Sequence, residues 1–315
     1  MNSEKKPLIV ITGPTACGKT AVAVALAKMI NGEVVSADSM QIYCGMDIGT
    51  AKPSIEERDG IPHHLIDVAD PKENFSVAIF QKMAQKAIFD IHSCNKVPIL
   101  VGGTGFYINS VVYKELLSPD MPDKDNDIRN KLLQQSVEKG SNFLHERLNM
   151  VDAQSAERIH PNNIKRVVRA LVYYEINGKP ISSHKPVLDT LYNTLFIVLH
   201  RERALLYEAI NSRVEDMLAK GLVEEVKKLL HDGVNEAASS MQALGYKEII
   251  PFLKGECTFE ETVEAIKQGS RRYAKRQLTW FRHQINGHWL SMDYKTTVET
   301  AENIADLFTV HLNLI

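Results

Sequence analysis

The sequence predicts an α/β protein whose core is a mainly parallel sheet covered by helices and interrupted by a helical insertion. Three observations lead there. Short β-branched runs alternate with longer helical stretches over the first hundred residues, the pattern left by parallel strands joined through crossover helices. A glycine-rich turn separates the first apolar run from the first helix. The texture then changes after Tyr113, where the turn-rich segment Ser118–Asp123 gives way to almost purely helical periodicity.

Taken in order, Leu8–Ile11 reads as a buried strand, Thr20–Ile30 as an alanine-rich helix and Glu33–Ser36 as a second strand. Phe75–His92 carries Val77, Phe80, Ala84, Ala87, Ile88 and Ile91 at helical spacing. Pro98–Val101 is a third strand, running into Gly102-Gly103-Thr104-Gly105. Helices are expected over Ile128–Lys139, Ser141–Leu148, Ala153–Arg158 and Pro161–Asn177, the last stopped by Gly178-Lys179-Pro180. Leu195–His200 reads as a strand returning to the sheet, with further helices through Arg282. The expected organisation is residues 1–113 as the first half of the core, 114–198 as the helical insertion and 199–315 as the return to the core.

Composition narrows the class. The chain has 315 residues, 44% hydrophobic and 24% charged, which excludes a disordered, fibrous or disulfide-stapled chain. Apolar runs such as Leu195–Leu199 fall far short of the roughly 20 residues of a spanning helix, and the N-terminal one is too short for a signal-peptide core. A soluble cytoplasmic protein with no membrane contact is expected. Cys17, Cys44, Cys94 and Cys257 lie far apart with no Cys-x-x-Cys, so neither zinc nor disulfides are expected. Tandem His63-His64 on a strand would point to opposite faces, one buried and one exposed, rather than share a metal.

Gly13-Pro14-Thr15-Ala16-Cys17-Gly18-Lys19-Thr20 matches G-x-x-x-x-G-K-[ST] in full and sits between a strand and a helix. Backbone N–H groups can curl there around an anion, Lys19 adds a mobile positive charge, and the Thr20 hydroxyl can ligate Mg²⁺. The core is therefore expected to be P-loop NTPase-like. GTPase motifs Asp-x-x-Gly and Asn-Lys-x-Asp are absent, and the best Walker-B candidate, Leu65-Ile66-Asp67, is short. A small-molecule kinase, and an enzyme using the loop for a diphosphate that leaves, both remain open at this point.

Asp38 follows the second strand, where open α/β sheets carry their sites; the plainer alternative is an N-cap or loop aspartate. From Ala265 to Ile285 there is no acidic residue, while Lys267, Arg271 and Lys275 recur every four residues as a stripe, joined by Arg272, Arg276 and Arg282 and interleaved with Tyr273, Trp280 and Phe281. Such a run is commonly a solvated face. Its lack of carboxylates favours contact with a nucleic-acid backbone. Lys165, Arg166 and Arg169 make a second patch.

Several motifs occur together and in order: Gly13–Thr20, Asp38-Ser39-Met40-Gln41-Ile42-Tyr43, Gly45–Pro53, Val101–Gly105, Arg158–Asn162, Gly245–Glu248 and Ala274–Arg282. From about Leu8 to Arg282 the chain resembles the tRNA dimethylallyltransferase (tRNA isopentenyltransferase) family, and the lack of a C-terminal zinc finger resembles its bacterial type. Cys17 stands where the family more often has Ser, and Ser270 where Thr is common; neither change removes a backbone donor. The resemblance implies transfer of a dimethylallyl group from its diphosphate to N6 of the adenosine 3′ of the anticodon, position 37. It implies Mg²⁺ as cofactor, with Gly13, Pro14, Thr15, Ala16, Cys17, Gly18, Lys19 and Thr20 around the diphosphate and Thr20 on the metal. It implies Asp38 as general base, with Thr15 and Arg213 as diphosphate contacts.

The resemblance further implies tRNA contacts at Asp38, Ser39, Met40, Gln41, Thr104, Arg129, Lys165, Arg166, Val167, Val168, Arg169, Gln242, Ala243, Leu244, Gly245, Tyr246, Lys247, Lys275, Arg276, Gln277, Leu278, Thr279, Trp280, Phe281 and Arg282. The insertion would clamp the anticodon stem-loop from the side opposite the basic helix, and the enzyme would act as a monomer. A P-loop kinase for a small metabolite and a non-enzymatic RNA-binding ATPase are the competing readings.

Overall fold

The computed structural model describes residues 5–114, 124–183 and 189–313, which form two compact units. The larger comprises residues 1–112 and 190–315; the smaller spans Tyr113–Asp189. The first half of the larger unit runs β1 (Pro7–Thr12), α1 (Lys19–Met29), β2 (Gly32–Ser36), α2 (Ile55–Arg58), β3 (His63–His64), α3 (Val77–Ser93), β4 (Val97–Gly102) and α4 (Gly105–Val112). The smaller unit holds α5 (Lys124–Lys139), α6 (Ser141–Val151), α7 (Ala153–Arg158) and α8 (Ile164–Asn177). The chain returns as β5 (Asn193–His200), α9 (Arg203–Ala219), α10 (Leu222–His231), α11 (Tyr246–Leu253), α12 (Phe259–Gln284), β6 (His288–Ser291) and α13 (Thr297–Asn313).

The six strands form one sheet in the order β3-β2-β4-β1-β5-β6, with every pairing parallel. Its central strands are continuous apolar runs because both faces are covered. Ile9, Ile11, Ile99, Leu195 and Ile197 join Val22 and Leu26 of α1 and Ile304 and Phe308 of α13 in one core. A second core lies under the loop after β2, where Ile42, Tyr43 and Met46 meet Met217, Leu222, Val226, Tyr246 and Ile249. Leu132, Leu144, Leu148, Val167, Val168 and Leu171 pack together inside the smaller unit. Among the described residues no helix is long and apolar enough to cross a membrane.

The insertion ends earlier than the expected Val198. Residues 193–198 are central strand, with Ile9 registered against Leu195 and Ile11 against Ile197, so their side chains belong to the core. The helix expected from Pro161 begins at Ile164, after a turn at Pro161-Asn162. The turn expected at 118–123 lies outside the described residues. The paired histidines are both half-buried rather than one in and one out. β3 is a two-residue edge strand, where His63 Nδ1 donates to Ile61 O at 2.8 Å and His64 Nε2 lies 2.7 Å from Glu33 Oε2.

Candidate active site

The turn after β1 is shaped by close backbone approach. A Cβ on Gly13, whose φ is 149°, would stand 2.3 Å from the Leu199 carbonyl oxygen. The chain then curls through Ala16 and Gly18, both with positive φ, into the N-terminus of α1, aiming backbone donors and the positive helix end into one concavity. Lys19 Nζ folds back over the loop, donating to Gly13 O at 3.0 Å and Pro14 O at 2.7 Å. Cys17 is fully buried and packs in the sheet core.

The loops after β2 and β4 stand beside this cradle. Asp38 Oδ1 accepts from Met40 N at 2.9 Å, which fixes the carboxylate. Thr104 Oγ1 accepts from Ser39 N at 3.1 Å and donates to Ser39 Oγ at 3.3 Å. A Cβ on Gly103 would meet Gln277 Nε2 at 2.3 Å. Gln277 needs that space, because its Nε2 donates to Gly103 O at 2.9 Å and its Oε1 accepts from Thr15 N at 3.0 Å.

Two cavities adjoin here. One, of about 460 Å³, is lined by Lys19, Thr20, Gln41 and the loop residues Ala16 and Gly18. The other, of about 300 Å³, has an apolar wall of Met40, Ile210, Val214, Met217, Leu244 and Ile266. Thr15, Asp38, Arg213 and Tyr273 line both. Burial pulls the Arg213 pKa down and the nearby Asp38 carboxylate opposes it; a guanidinium stays charged regardless, so this half-buried cation favours an anion in the polar cavity. Burial, with Asp38 adding to it, pushes the Tyr273 phenol up to about 12, so it stays protonated at neutral pH. A polar, cation-lined chamber thus meets an apolar one across a carboxylate. The Walker-B candidate Asp67 is not part of it: its Oδ1 pairs with Lys52 Nζ at 2.5 Å.

The sequence model described as IPP transferase matches residues 41–284. The chain belongs to this family. A tRNA dimethylallyltransferase of Caldanaerobacter subterraneus is 50% identical over 303 residues, 94% of this chain and 96% of its own. Among solved structures, the full-length tRNA isopentenylpyrophosphate transferase of Bacillus halodurans aligns with a TM-score of 0.74 at 45% identity, over 98% of this chain and 97% of that one. A eukaryotic dimethylallyltransferase acting on tRNA aligns with a TM-score of 0.83 at 30% identity, over 97% and 80% of the two chains.

In this IPP transferase family member the basic stripe of α12 is partly neutralised. Lys267 pairs with Glu215 of α9 at 2.6 Å, and Arg271 pairs with Glu264 at 2.7 Å while also donating to Asn211 Oδ1. The carboxylates missing from the 265–285 window come from α9 and from the preceding turn of α12. Lys275 and Arg282 are exposed. Arg272, Lys275, Arg276, Thr279, Trp280 and His283 line an open groove of about 720 Å³.

Several residues expected to touch RNA have buried side chains instead. Val167 and Val168 sit in the core of the smaller unit, where only Lys165, Arg166 and Arg169 of that run are exposed. Phe281 and Tyr246 are fully buried, and Ala243 and Gln277 nearly so. Leu278 packs against Leu206 and Ile210. Arg129 is half-buried on α5. Gln242 and Lys247 are exposed, and Leu244 and Gly245 line the apolar cavity.

Glu225 escaped the sequence reading altogether. Its carboxylate accepts from the backbone N–H groups of Asp47, Ile48 and Gly49 at 2.8–3.1 Å and from Tyr246 OH at 2.6 Å. It thereby pins the Gly45–Pro53 loop. Nothing in the helical pattern of α10 sets Glu225 apart from Glu224. Gln277 did leave a signal: a polar residue at core spacing between Ala274 and Phe281.

Proposed function

We propose that this protein transfers the dimethylallyl group from dimethylallyl diphosphate to N6 of adenosine 37 in tRNA, releasing diphosphate and forming N6-(dimethylallyl)adenosine. The observation that carries this reading is the junction itself, with Asp38, Thr15, Arg213 and Tyr273 on the wall common to a cation-lined cavity and an apolar one. The loop N–H groups, Lys19 and Arg213 hold the diphosphate, and the apolar cavity takes the prenyl chain and the adenine. As the N6–C bond forms and the C–O bond breaks, the electron pair leaves with the diphosphate, whose growing charge these donors stabilise. Asp38 takes the N6 proton, which makes a weakly nucleophilic exocyclic amine reactive. A stacked base cannot reach this junction, so the nucleotide is flipped out of the loop.

Mg²⁺ fits the donors present. The Thr20 hydroxyl offers a hard oxygen atom beside the cradle. Among the described residues no group of three or more His, Cys, Asp or Glu side chains could hold a metal by itself, which suits an ion shared with diphosphate oxygens and water. When bound, the ion neutralises charge on the diphosphate. The exposed cations of the α12 groove, and Lys165, Arg166 and Arg169 on α8, are the RNA contacts in this reading. The enzyme acts in the cytoplasm as a monomer.

The test is incubation with Mg²⁺, dimethylallyl diphosphate and bulk tRNA, followed by mass spectrometry of the nucleosides. The expected product is N6-(dimethylallyl)adenosine. Phosphorylation of a small molecule from ATP, or ATP turnover without prenyl transfer, would replace this reading with a kinase or an RNA-binding ATPase.

A further inference from the structure

A third, much smaller cavity of about 40 Å³ lies behind the cradle, sharing Lys19, Thr20, Asp38 and Gln41 with the polar chamber and adding Ser36 and His63. A volume of that size admits water. Two groups on its wall, His63 and Ser36, can only accept a hydrogen bond from the cavity. His63 Nδ1 faces the Ile61 carbonyl oxygen at 2.8 Å; a carbonyl only accepts, so Nδ1 carries the proton and the neutral ring leaves Nε2 as an acceptor. That Nε2 is closed off from solvent and has no partner. Ser36 Oγ donates its proton to Gln41 Oε1 at 3.2 Å. The Gln41 amide is oriented by its Nε2, which faces Thr50 O at 3.4 Å and Ala51 O at 3.3 Å. Ser36 therefore also presents only lone pairs to the cavity.

A water between two such acceptors gives up both hydrogens to them and keeps its own lone pairs for another partner in a cavity that Thr20 also lines. That is the posture of a water bound to a cation. We propose that His63 is the outer-sphere anchor of the divalent ion that Thr20 holds with the diphosphate, accepting a hydrogen bond at Nε2 from a metal-bound water, with Ser36 as the second acceptor. His63 is then a positioning residue, acting on the ion through water and not as a ligand. This rests on the metal–diphosphate reading given above.

The experiment uses Mn²⁺ with inorganic diphosphate as probe. Mn²⁺ affinity is measured by electron paramagnetic resonance, and diphosphate affinity with and without metal by calorimetry, for wild type, His63→Leu and His63→Gln. Loss of an outer-shell partner typically weakens metal affinity by 10- to 100-fold. We expect His63→Leu to weaken Mn²⁺ binding by about 10-fold, His63→Gln to recover most of that, and metal-free diphosphate affinity to stay at the wild-type value. Electron–nuclear double resonance on wild-type protein with ¹⁵N-histidine should reveal a weak dipolar coupling that His63→Gln removes, a comparison that stands even if His63→Leu fails to fold. Unchanged Mn²⁺ affinity, no coupling, or a strong coupling typical of a direct nitrogen ligand would each overturn the assignment. Diphosphate binding to wild type that is indifferent to Mn²⁺ would instead remove the metal–diphosphate reading itself.

Discussion

The side-chain oxygen of Gln277, on α12, accepts the backbone N–H of Thr15 in the anion cradle at 3.0 Å, across 262 residues of sequence. The other end of the same amide holds Gly103 at 2.9 Å. One buried side chain thus ties the cradle, the loop after β4 and the helix that carries the basic groove.

Replacing Gln277 by Leu keeps the volume close but strands a backbone donor and a backbone acceptor. Leaving such groups unmet costs about 1–3 kcal/mol for a buried one. We expect Gln277→Leu to lower unfolding stability by an amount in that range and to weaken diphosphate binding. Denaturant titration and calorimetry measure the two effects separately, and wild-type values in both would mean the bridge is incidental.

Asp38→Asn keeps the size and the Met40 hydrogen bond but removes the proton acceptor. A positioned base contributes about 10²- to 10⁴-fold, or roughly 3–5 kcal/mol of barrier. That loss should fall on single-turnover transfer, with diphosphate affinity little changed. A single-turnover rate near wild type at saturating tRNA and donor would assign Asp38 a purely local role.

The basic residues of α12 should split into two groups. Lys275→Ala and Arg276→Ala, in the groove, should each lower the log–log salt slope of tRNA binding by about 0.9 on a duplex stem, or about 0.7 on a single strand. Lys267→Ala and Arg271→Ala should leave the slope unchanged, because Glu215 and Glu264 already neutralise those cations. Equal slopes for all four variants would contradict this division.

Asp152 gives the helical unit an acid-sensitive joint. It caps α7 by accepting from Ser155 N at 3.0 Å, and it accepts from Ser182 N at 3.0 Å and from both serine hydroxyls. Burial by itself raises this carboxyl, but the Ser182 and Ser155 donors outweigh it and hold the pKa below the ordinary aspartate value of 3.8. A lowered folded-state value means the stabilisation is present above that pH and is lost as pH falls through the folded-state pKa. Asp152→Ala should cost roughly 2–4 kcal/mol at neutral pH through the lost cap and the stranded donors, and it should flatten the acid limb of the stability profile. Thermal melts between pH 7 and pH 2 would decide, a parallel acid limb in the variant being the contrary result.

The sequence by itself determined the parts whose geometry is made by contiguous residues. The strand–loop–helix cradle at 13–20, the alternation of strands and helices, and the apolar faces of α3 and α8 follow from local periodicity and from backbone conformations that a few neighbouring residues impose. Periodicity states which face of an element is buried, but it carries no information about what stands opposite. Only the tertiary structure could put Glu215 against Lys267, turn Tyr246 inward onto Glu225, and bring Gln277 to Thr15. Those pairings join residues tens to hundreds of positions apart, and they are decided by how separate elements pack around the shared sheet and the core beneath the β2 loop.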